Sequence, residues 1–516
     1  MWGESRPAVP ARDMGLWTAA GQTRPAGAMM ISRPDIQETL KSSHKITELP
    51  EISDQFTCLP QFNETCYAVI KGTRRCFEIS PELNLWISHK KEPEGDIRKE
   101  IESEVVRLKA LGYWSTEQPD RPVSNHRLGL SLHVVHGCNL ACGYCNVQQG
   151  TYGDEYTLMS PETALKAIDW FQAQLGEREP TLYFYGGEPF LNWPLIRQAA
   201  QYVRERFDPC RFEIVTNATL IDAERAEFLA RHDVFTIVSI DGPQPIHDRN
   251  RPTRTGQGSY AAACRGLEYL KAAGVRFHLR STWSPAMGDY NQVKTHLAEL
   301  AGDPSKVTVG IEFETAGSDG TACYHEVLED QFQTSRKDPN EISAMVCQYT
   351  DQLLRADLSP DHQCDAGHAA FSVTPAGDIY PCQVAVSNRA FRIGNVRDQT
   401  RDQAGVAQNP VLGAFLGQTS EACSTCWARF ACPGPCRLSH PLPKNWPYCR
   451  TVSLQLSQAL EIAGHLTPER LERVYPNVTA DRKISLDRFM ALREMIRNRH
   501  THLKPLSLFP AASNHP

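Results

Sequence analysis

Residues 128–145 read LGLSLHVVHGCNLACGYC, an apolar strand-like run followed at once by a loop carrying Cys138, Cys142 and Cys145. A loop at the carboxyl end of a strand can bring three thiolates together. A cubic four-iron cluster normally takes four cysteines, so a three-cysteine loop leaves one iron for an exogenous group. A zinc site, or three buried cysteines without metal, is the competing reading. The segments that follow weigh against it.

Outward from this loop the chain alternates strand-like and helix-like stretches. TLYFYG (181–186), FEIVTN (212–217), FTIVSID (235–241), RFHLRSTW (276–283) and VTVGIEF (307–313) read as strands. Between them run PETALKAIDWFQAQL, LIRQAAQYVRERF, ERAEFLARH and YAAACRGLEYLKAAG, whose apolar residues recur at helical spacing. With LGLSLHVV this makes six strands in β-α alternation, the pattern of a parallel sheet with helices outside it. In such α/β folds the chemistry sits where the strands end and the loops begin.

The C-x3-C-x2-C loop, with Tyr144 before its last cysteine, resembles that of the radical S-adenosylmethionine (SAM) superfamily. Gly186, Gly187, Glu188 and Pro189 resemble that family's GGEP motif, which implies that they hold the methionine amino group of the cofactor. Thr216 and Asn217 end the third strand, and Ser239 and Asp241, with Gly242, end the fourth. The resemblance places such positions, with Tyr144 and Arg251, around the cofactor. His247, Asp248 and Arg251 in HDRNR have either a substrate-side role or a structural one, and Arg280 on the fifth strand is open in the same way. The chemistry implied is release of a 5'-deoxyadenosyl radical that abstracts hydrogen from a substrate, with the protein supplying orientation and exclusion of water.

A second cysteine set lies further on. Cys364 is followed by Gly377 and Cys382, then by Cys423, Cys426, Cys432, Cys436 and Cys449. The run C-x2-C-x5-C-x3-C is similar to the SPASM domain of radical enzymes that mature peptides. That resemblance implies two auxiliary four-iron clusters beside the SAM-binding one. Cys423, Cys426, Cys432 and Cys449 would hold the first; Cys364, Cys382 and Cys436 would hold the second, whose fourth position is either open to substrate or filled by Cys347, His362 or Asp365. Two zinc sites are the alternative for the segment, and the radical loop upstream favours iron.

The expected fold is therefore α/β: a partial (β/α)6 radical SAM barrel over 128–355, a Cys-rich auxiliary-cluster domain over 356–452, and a helical carboxyl-terminal tail over 453–516. Residues 33–127 form a small α+β domain. There CYAVIK and RRCFEI flank the Gly72 turn as a hairpin, and IRKEIESEVVRLKALGYW reads as a helix. Residues 1–32 read as a disordered tail without the apolar core of a secretory signal.

Composition sets outer limits. The 516 residues carry a formal charge of -6 and no concentrated basic segment, which speaks against a nucleic-acid partner. No apolar run is long enough to span a bilayer. Seventeen cysteines without an export signal point to metal or redox chemistry in the cytoplasm rather than to disulfides.

Among radical SAM proteins with this domain, two branches bear on function. Sulfatase-maturing enzymes, which make formylglycine, typically carry an Asp proton acceptor after the cysteine corresponding to Cys382; here that residue is Gln383. They also begin close to the barrel. Peptide maturases form thioether or carbon–carbon crosslinks and often capture a leader peptide on an amino-terminal sheet, for which residues 60–115 are the candidate. Tyr152 and Gly153 after the cysteine loop resemble this branch. A crosslinking enzyme of ribosomal peptides, reduced by flavodoxin or ferredoxin, is the favoured expectation. A non-catalytic electron carrier needs neither a vacant iron nor a GGEP strand end.

Overall fold

The computed structural model describes residues 56–59, 66–70, 76–89, 127–207, 209–284, 287–311, 366–398, 447–464 and 503–505, with a few single positions including Lys99, Val346, Tyr349, Cys426 and Cys432. Its contacts divide the chain into two units, one of Met1–Pro119, Gln333–Leu358 and Gln455–Pro516, the other of Asp120–Phe332 and Ser359–Leu454.

In the first unit, strands β1 (Phe56–Cys58), β2 (Cys66–Ile70) and β3 (Cys76–Ile79) pair antiparallel in sequence order. The two strands expected on either side of Gly72 pair with each other. Helix α1 (Pro81–His89) follows; the Ser80 hydroxyl accepts from the Leu83 amide at 3.2 Å, and Leu83 and Ile87, one turn apart, are buried. Where the carboxyl-terminal pattern predicts helix, Leu503–Pro505 instead forms strand β14, antiparallel to β3. Residues 1–32 and, apart from Lys99, the expected helix at 97–114 lie outside the described residues.

The second unit begins with β4 (Arg127–His136), the ten-residue strand before the cysteine loop. It continues through β5 (Thr157–Leu158), α2 (Pro161–Gln174), β6 (Glu179–Gly186), α3 (Trp193–Arg206), β7 (Arg211–Thr216), α4 (Ala223–Arg231) and β8 (Val234–Ser239). Then come α5 (Gln244–Asn250), α6 (Tyr260–Ala272), β9 (Phe277–Trp283), α7 (Tyr290–Ala301) and β10 (Val307–Ile311). Strands β11 (Ala370–Val373), β12 (Asp378–Tyr380) and β13 (Gly394–Asn395) complete its sheet, and helix α8 (Pro447–Gly464) belongs to it up to Leu454 and to the first unit from Gln455.

The sheet runs β10-β9-β8-β7-β6-β4-β11-β12-β13 and is parallel from β10 to β11. All six strands read from the sequence are there. Among the described residues the order leaves β10 at one end and β13 at the other, so these strands form an open barrel. What the sequence did not suggest is that β11, from the cysteine-rich segment, continues the parallel sheet beside β4, with Ser372 opposite Ser131.

Helix starts are locally encoded. Ser160 caps α2, Asp222 caps α4 and Asp289 caps α7, each side chain accepting from an amide of the first turn. The outer face of β4 places Leu128, Leu130, Leu132 and Val134 in one core with Ala164, Ala167, Ile168 and Phe171 of α2 and with Ile196 and Ala199 of α3. Each large apolar side chain buried this way contributes about 1.5–3 kcal/mol. The other face of β4 carries Ser131 and His133, beside Tyr183 and Tyr185 of β6 in register, so the barrel interior is polar and aromatic. Among the described residues no helix is long and apolar enough to cross a membrane.

Candidate active site

The cysteine loop leaves β4 through Gly137 and is fastened by a distant segment. The Ala141 amide donates to the Pro252 carbonyl at 2.8 Å, the Gly143 amide to the Asn250 carbonyl at 3.2 Å, and Leu140 forms a bridge with Thr253. Arg254 Nε donates to the Cys138 carbonyl at 2.6 Å. From the other side the glycines of the β6 end pass very close. A Cβ on Gly187 would stand 2.2 Å from the Gly137 oxygen, and one on Gly150, at φ +84°, would stand 2.4 Å from the Gly187 Cα. Only glycine permits that approach.

Glu188 is fully buried between two strand ends. Its Oε1 accepts from the Thr216 hydroxyl at 2.8 Å and the Phe190 amide at 3.2 Å, while Oε2 accepts from the Asn217 amide at 2.8 Å. Burial nevertheless pushes its carboxyl up to about 7, the three donors opposing that shift. Asn217 also reaches the cysteine loop, donating through Nδ2 to Asn139 Oδ1 at 2.9 Å; Asn139 Nδ2 in turn donates to Thr219 Oγ1 at 2.8 Å. GGEP, Thr216 and Asn217 thus form one continuous wall beside Cys138.

At the end of β8, Asp241 is fully buried. The Tyr144 hydroxyl donates to its Oδ2 at 2.7 Å, and Arg251 Nε stands 3.0 Å from the same oxygen, as an ion pair rather than an aligned hydrogen bond. Among the described residues Asp241 Oδ1 has no partner, although it is sealed from solvent. The Asp241 amide donates to His247 Nδ1 at 3.3 Å, so Nε2 carries the proton and donates to Ser259 Oγ at 3.0 Å; Ser259 donates to the Arg251 carbonyl. Burial holds His247 down to about 4, which keeps it in this neutral form. Asp248 accepts from the Tyr260 amide at 2.8 Å at the start of α6. His247 and Asp248 are therefore tied into the loop architecture. Ser239 lies opposite Arg280 in the β8–β9 register, and Arg280 is exposed yet close enough to draw down the phenol of Tyr185, which burial raises.

The thiols are half-buried. Burial, and secondly Glu188, push Cys138 up to about 12; burial also raises Cys142, while Arg251 opposes the shift. Binding iron at this loop must therefore release protons. Among the described residues no three His, Cys, Asp or Glu side chains are gathered around a single ion-sized point. The thiolates of such a loop bind separate corners of a cluster, so a cubane does not require that convergence. A three-thiol donor set, a sealed carboxylate oxygen at Asp241 and a glycine-only approach at Gly187 fit a cluster with an exogenous ligand.

Of the auxiliary cysteines, Cys382 follows β12, half-buried. It packs at the edge of a cluster formed by Tyr152, Tyr380, Ala385, Val386 and Phe391, which Tyr185 also borders. Gln383 is exposed, and its Oε1 accepts from the Ser131 hydroxyl at 3.5 Å. Cys426 and Cys432 are half-buried, and Cys449 is exposed in α8. Cys364, Cys423 and Cys436, with Cys347, His362 and Asp365, lie outside the described residues.

Several residues near this site had no role in the sequence reading. His133 is fully buried, with neither ring nitrogen partnered among the described residues, and lies within 5.5 Å (ring centroids) of His136, Tyr152 and Tyr185. His136 stacks on Tyr152 and lies 3.8 Å from Asp154. The signal for His133 was a polar residue recurring two positions after Ser131 within an apolar strand. Arg254 and Asn139 carried no local signal.

Residues 132–301 match the Radical SAM superfamily, and residues 364–427 match SPASM, an iron-sulfur cluster-binding domain. The chain carries a radical SAM domain followed by a SPASM domain. It is 34% identical over 150 residues, 29% of this chain and 50% of the other, to an uncharacterized protein of Methanocaldococcus jannaschii. It is 24% identical over 356 residues to the serine-type anaerobic sulfatase-maturating enzyme of Klebsiella aerogenes, covering 62% of this chain and 81% of that one. The solved structure of anSMEcpe with bound AdoMet shares the fold, at a TM-score of 0.56 and 21% identity, over 67% of this chain and 98% of that chain. As a radical SAM/SPASM enzyme the protein is a SAM-binding iron-sulfur protein, with auxiliary iron-sulfur binding in its SPASM domain. A purely electron-carrying role is thereby set aside.

Proposed function

We propose that this enzyme modifies a side chain of a peptide or protein, forming a thioether or carbon–carbon crosslink in a ribosomally made peptide. The observation that carries the choice is Gln383. The position after Cys382, where sulfatase-maturing enzymes typically carry a carboxylate, here holds an amide that accepts from Ser131 on the inner face of β4. An amide has no basicity at neutral pH, so formylglycine formation through that position is disfavoured. The K. aerogenes relative keeps formylglycine formation as the competing reading.

In this proposal Cys138, Cys142 and Cys145 hold the SAM cluster. Gly186, Gly187, Glu188, Pro189, Thr216, Asn217, Ser239, Asp241, Tyr144 and Arg251 form the wall around the cofactor. The bound cluster and SAM together supply a 5'-deoxyadenosyl radical that takes a hydrogen atom from the substrate. The chain's own part is to fix the cysteine loop, to hold Glu188 beside it without solvent, and to close the barrel interior beneath Tyr152. Cys423, Cys426, Cys432 and Cys449 would carry one auxiliary cluster, and Cys364, Cys382 and Cys436 a second. The β1–β3 sheet is the candidate leader-binding element, and a cytoplasmic flavodoxin or ferredoxin the candidate reductant.

The test is anaerobic reconstitution with iron and sulfide, followed by mass spectrometry for 5'-deoxyadenosine and for products from cysteine-containing peptides. Wild type should form deoxyadenosine, and Cys138→Ala/Cys142→Ala/Cys145→Ala should not. A peptide product that has lost two hydrogens, kept its sulfur and carries no aldehyde supports crosslinking, whereas a two-hydrogen loss that yields an aldehyde from serine supports formylglycine formation. Loss of the cysteine sulfur with gain of an aldehyde would reinstate formylglycine formation.

A further inference from the structure

The contacts that fasten the cysteine loop are not evenly distributed along it. Backbone pairing with residues 250–253 holds its middle, at Leu140, Ala141 and Gly143. The Cys138 end is held on one side by the Glu188 amide on the Gly137 carbonyl at 3.0 Å and by Asn217 and Thr219 on Asn139, and on the other by a side chain, through the 2.6 Å contact from Arg254 Nε to the Cys138 carbonyl. Arg254 is itself placed by a tight turn, in which the Thr253 amide donates to the Gln257 carbonyl at 2.8 Å and the Gly256 amide to the Thr253 carbonyl at 2.9 Å.

Charge gives this contact a second consequence. Arginine stays protonated at any working pH. The nearby Arg251 is spent on Asp241, and the charged groups that act on Cys138 are Glu188 and the neighbouring thiols Cys142 and Cys145, all of which disfavour its thiolate. Among the described residues Arg254 forms no ion pair with a carboxylate. Three iron-bound thiolates concentrate negative charge at the loop, and reduction by one electron adds to it. A fixed cation beside one thiolate's backbone favours the reduced form, although solvent around the exposed guanidinium weakens that field.

We propose that Arg254 is a positioning residue that clamps the Cys138 end of the cysteine loop and, through its charge, raises the reduction potential of the cluster bound there. The redox step concerned is uptake of one electron by that cluster from a low-potential donor, with no bond made or broken in the protein. The inference rests on the loop carrying the SAM-binding cluster, which iron analysis of the triple cysteine variant checks separately.

The experiment uses the full-length protein, reconstituted anaerobically, in four forms: wild type, Arg254→Lys, Arg254→Gln and Arg254→Ala. Iron and sulfide are quantified, and the reduced cluster is followed by electron paramagnetic resonance (EPR) during a potentiometric titration with dithionite. The signal that changes on adding S-adenosylmethionine identifies the cluster at this loop. Arg254→Gln, which keeps a hydrogen-bond donor and loses the charge, should retain its iron and show a midpoint more negative than wild type. Arg254→Lys should keep the wild-type midpoint. Arg254→Ala should lose cluster iron faster than either. An unchanged midpoint in Arg254→Gln at full iron content overturns the proposal. If Arg254→Gln does not retain its cluster, Arg254→Lys decides, since a midpoint displaced from wild type despite the conserved charge overturns it equally.

Discussion

Tyr144 and Arg251 meet on a single oxygen of Asp241, the phenol at 2.7 Å and the guanidinium nitrogen at 3.0 Å, in a place from which solvent is excluded. Tyr144 belongs to the cysteine loop, Asp241 to the end of β8 and Arg251 to the segment that clasps the loop. One carboxylate therefore ties together three chain segments, two of them more than ninety residues apart in sequence. The Arg251 guanidinium also lies 5.3 Å from the centre of the Tyr144 ring, which adds a cation–π contact to the ion pair.

Removing the charge of Asp241 should therefore be costly. A buried ion pair broken on one side leaves the other charge uncompensated, which typically costs about 3–5 kcal/mol. Asp241→Asn should show that loss in urea unfolding of the metal-free protein, and Tyr144→Phe a loss of about 1 kcal/mol, the worth of one hydrogen bond. Equal stability of Asp241→Asn and wild type would show that Arg251 finds another partner.

Glu188 makes a pH-dependent prediction. Its carboxyl is raised from 4.5 to about 7 because burial outweighs its three donors. A group raised on folding stabilises the fold fully below its unfolded value, and that contribution is lost as pH rises through the folded one. Between pH 4.5 and about 7 the metal-free protein should lose on the order of 3 kcal/mol through this residue. Glu188→Gln has no such titration, so the difference in unfolding free energy between wild type and variant should shrink or reverse on going to the alkaline side. Parallel pH profiles for the two proteins would remove Glu188 as the cause.

The elements legible in the sequence are those whose signals are local. Apolar residues that recur in runs or in alternation over five to ten positions are a local signal, which is why β4 and its five parallel successors were recognisable, and cysteine spacing is a count along the chain. What escaped is non-local or short. Strand β11 is four residues long and joins β4 from some 240 positions away. Strand β14 is three residues and takes its partner from the other end of the chain. Arg254 reaches Cys138 across 116 positions, and nothing in the run PTRTG marks its arginine as different from its neighbours. His247 and Asp248 were left between two roles because a motif does not reveal which hydrogen bonds its side chains already make.

Gly187 should tolerate no side chain. A methyl group there would lie 2.2 Å from the Gly137 carbonyl and 2.8 Å from the Gly150 Cα, both backbone atoms that cannot rotate away. Overpacking of this kind costs about 1–3 kcal/mol, and more when backbone must move. Because both neighbours flank the cysteine loop, Gly187→Ala should also bind less iron after reconstitution than wild type. Gly176→Ala, where a Cβ meets open space, is the control for the methyl group itself, although its φ of +57° adds local strain. Full iron in Gly187→Ala would show that the β6 end can retreat from the loop.

His133 should be a residue the protein keeps at a cost. Its ring is fully buried, both nitrogens lack partners among the described residues, and burial together with His136 holds its pKa well below the ordinary value, so it is a neutral imidazole among aromatic rings. An unsatisfied buried polar atom costs about 1–3 kcal/mol. His133→Phe places a ring of similar shape against Tyr152 and Tyr185 without that penalty, so the metal-free variant should unfold at higher denaturant than wild type. His133→Leu, which is smaller, separates the removal of polar atoms from crowding by the larger ring. If both variants unfold more easily than wild type, ordered waters must satisfy the imidazole, and the residue is then a conventional part of the interior. If either gains stability while the iron content of the cysteine loop is unchanged, polarity at this point inside the barrel is maintained against the fold's own interest, the pattern expected where a group is kept for what enters the barrel.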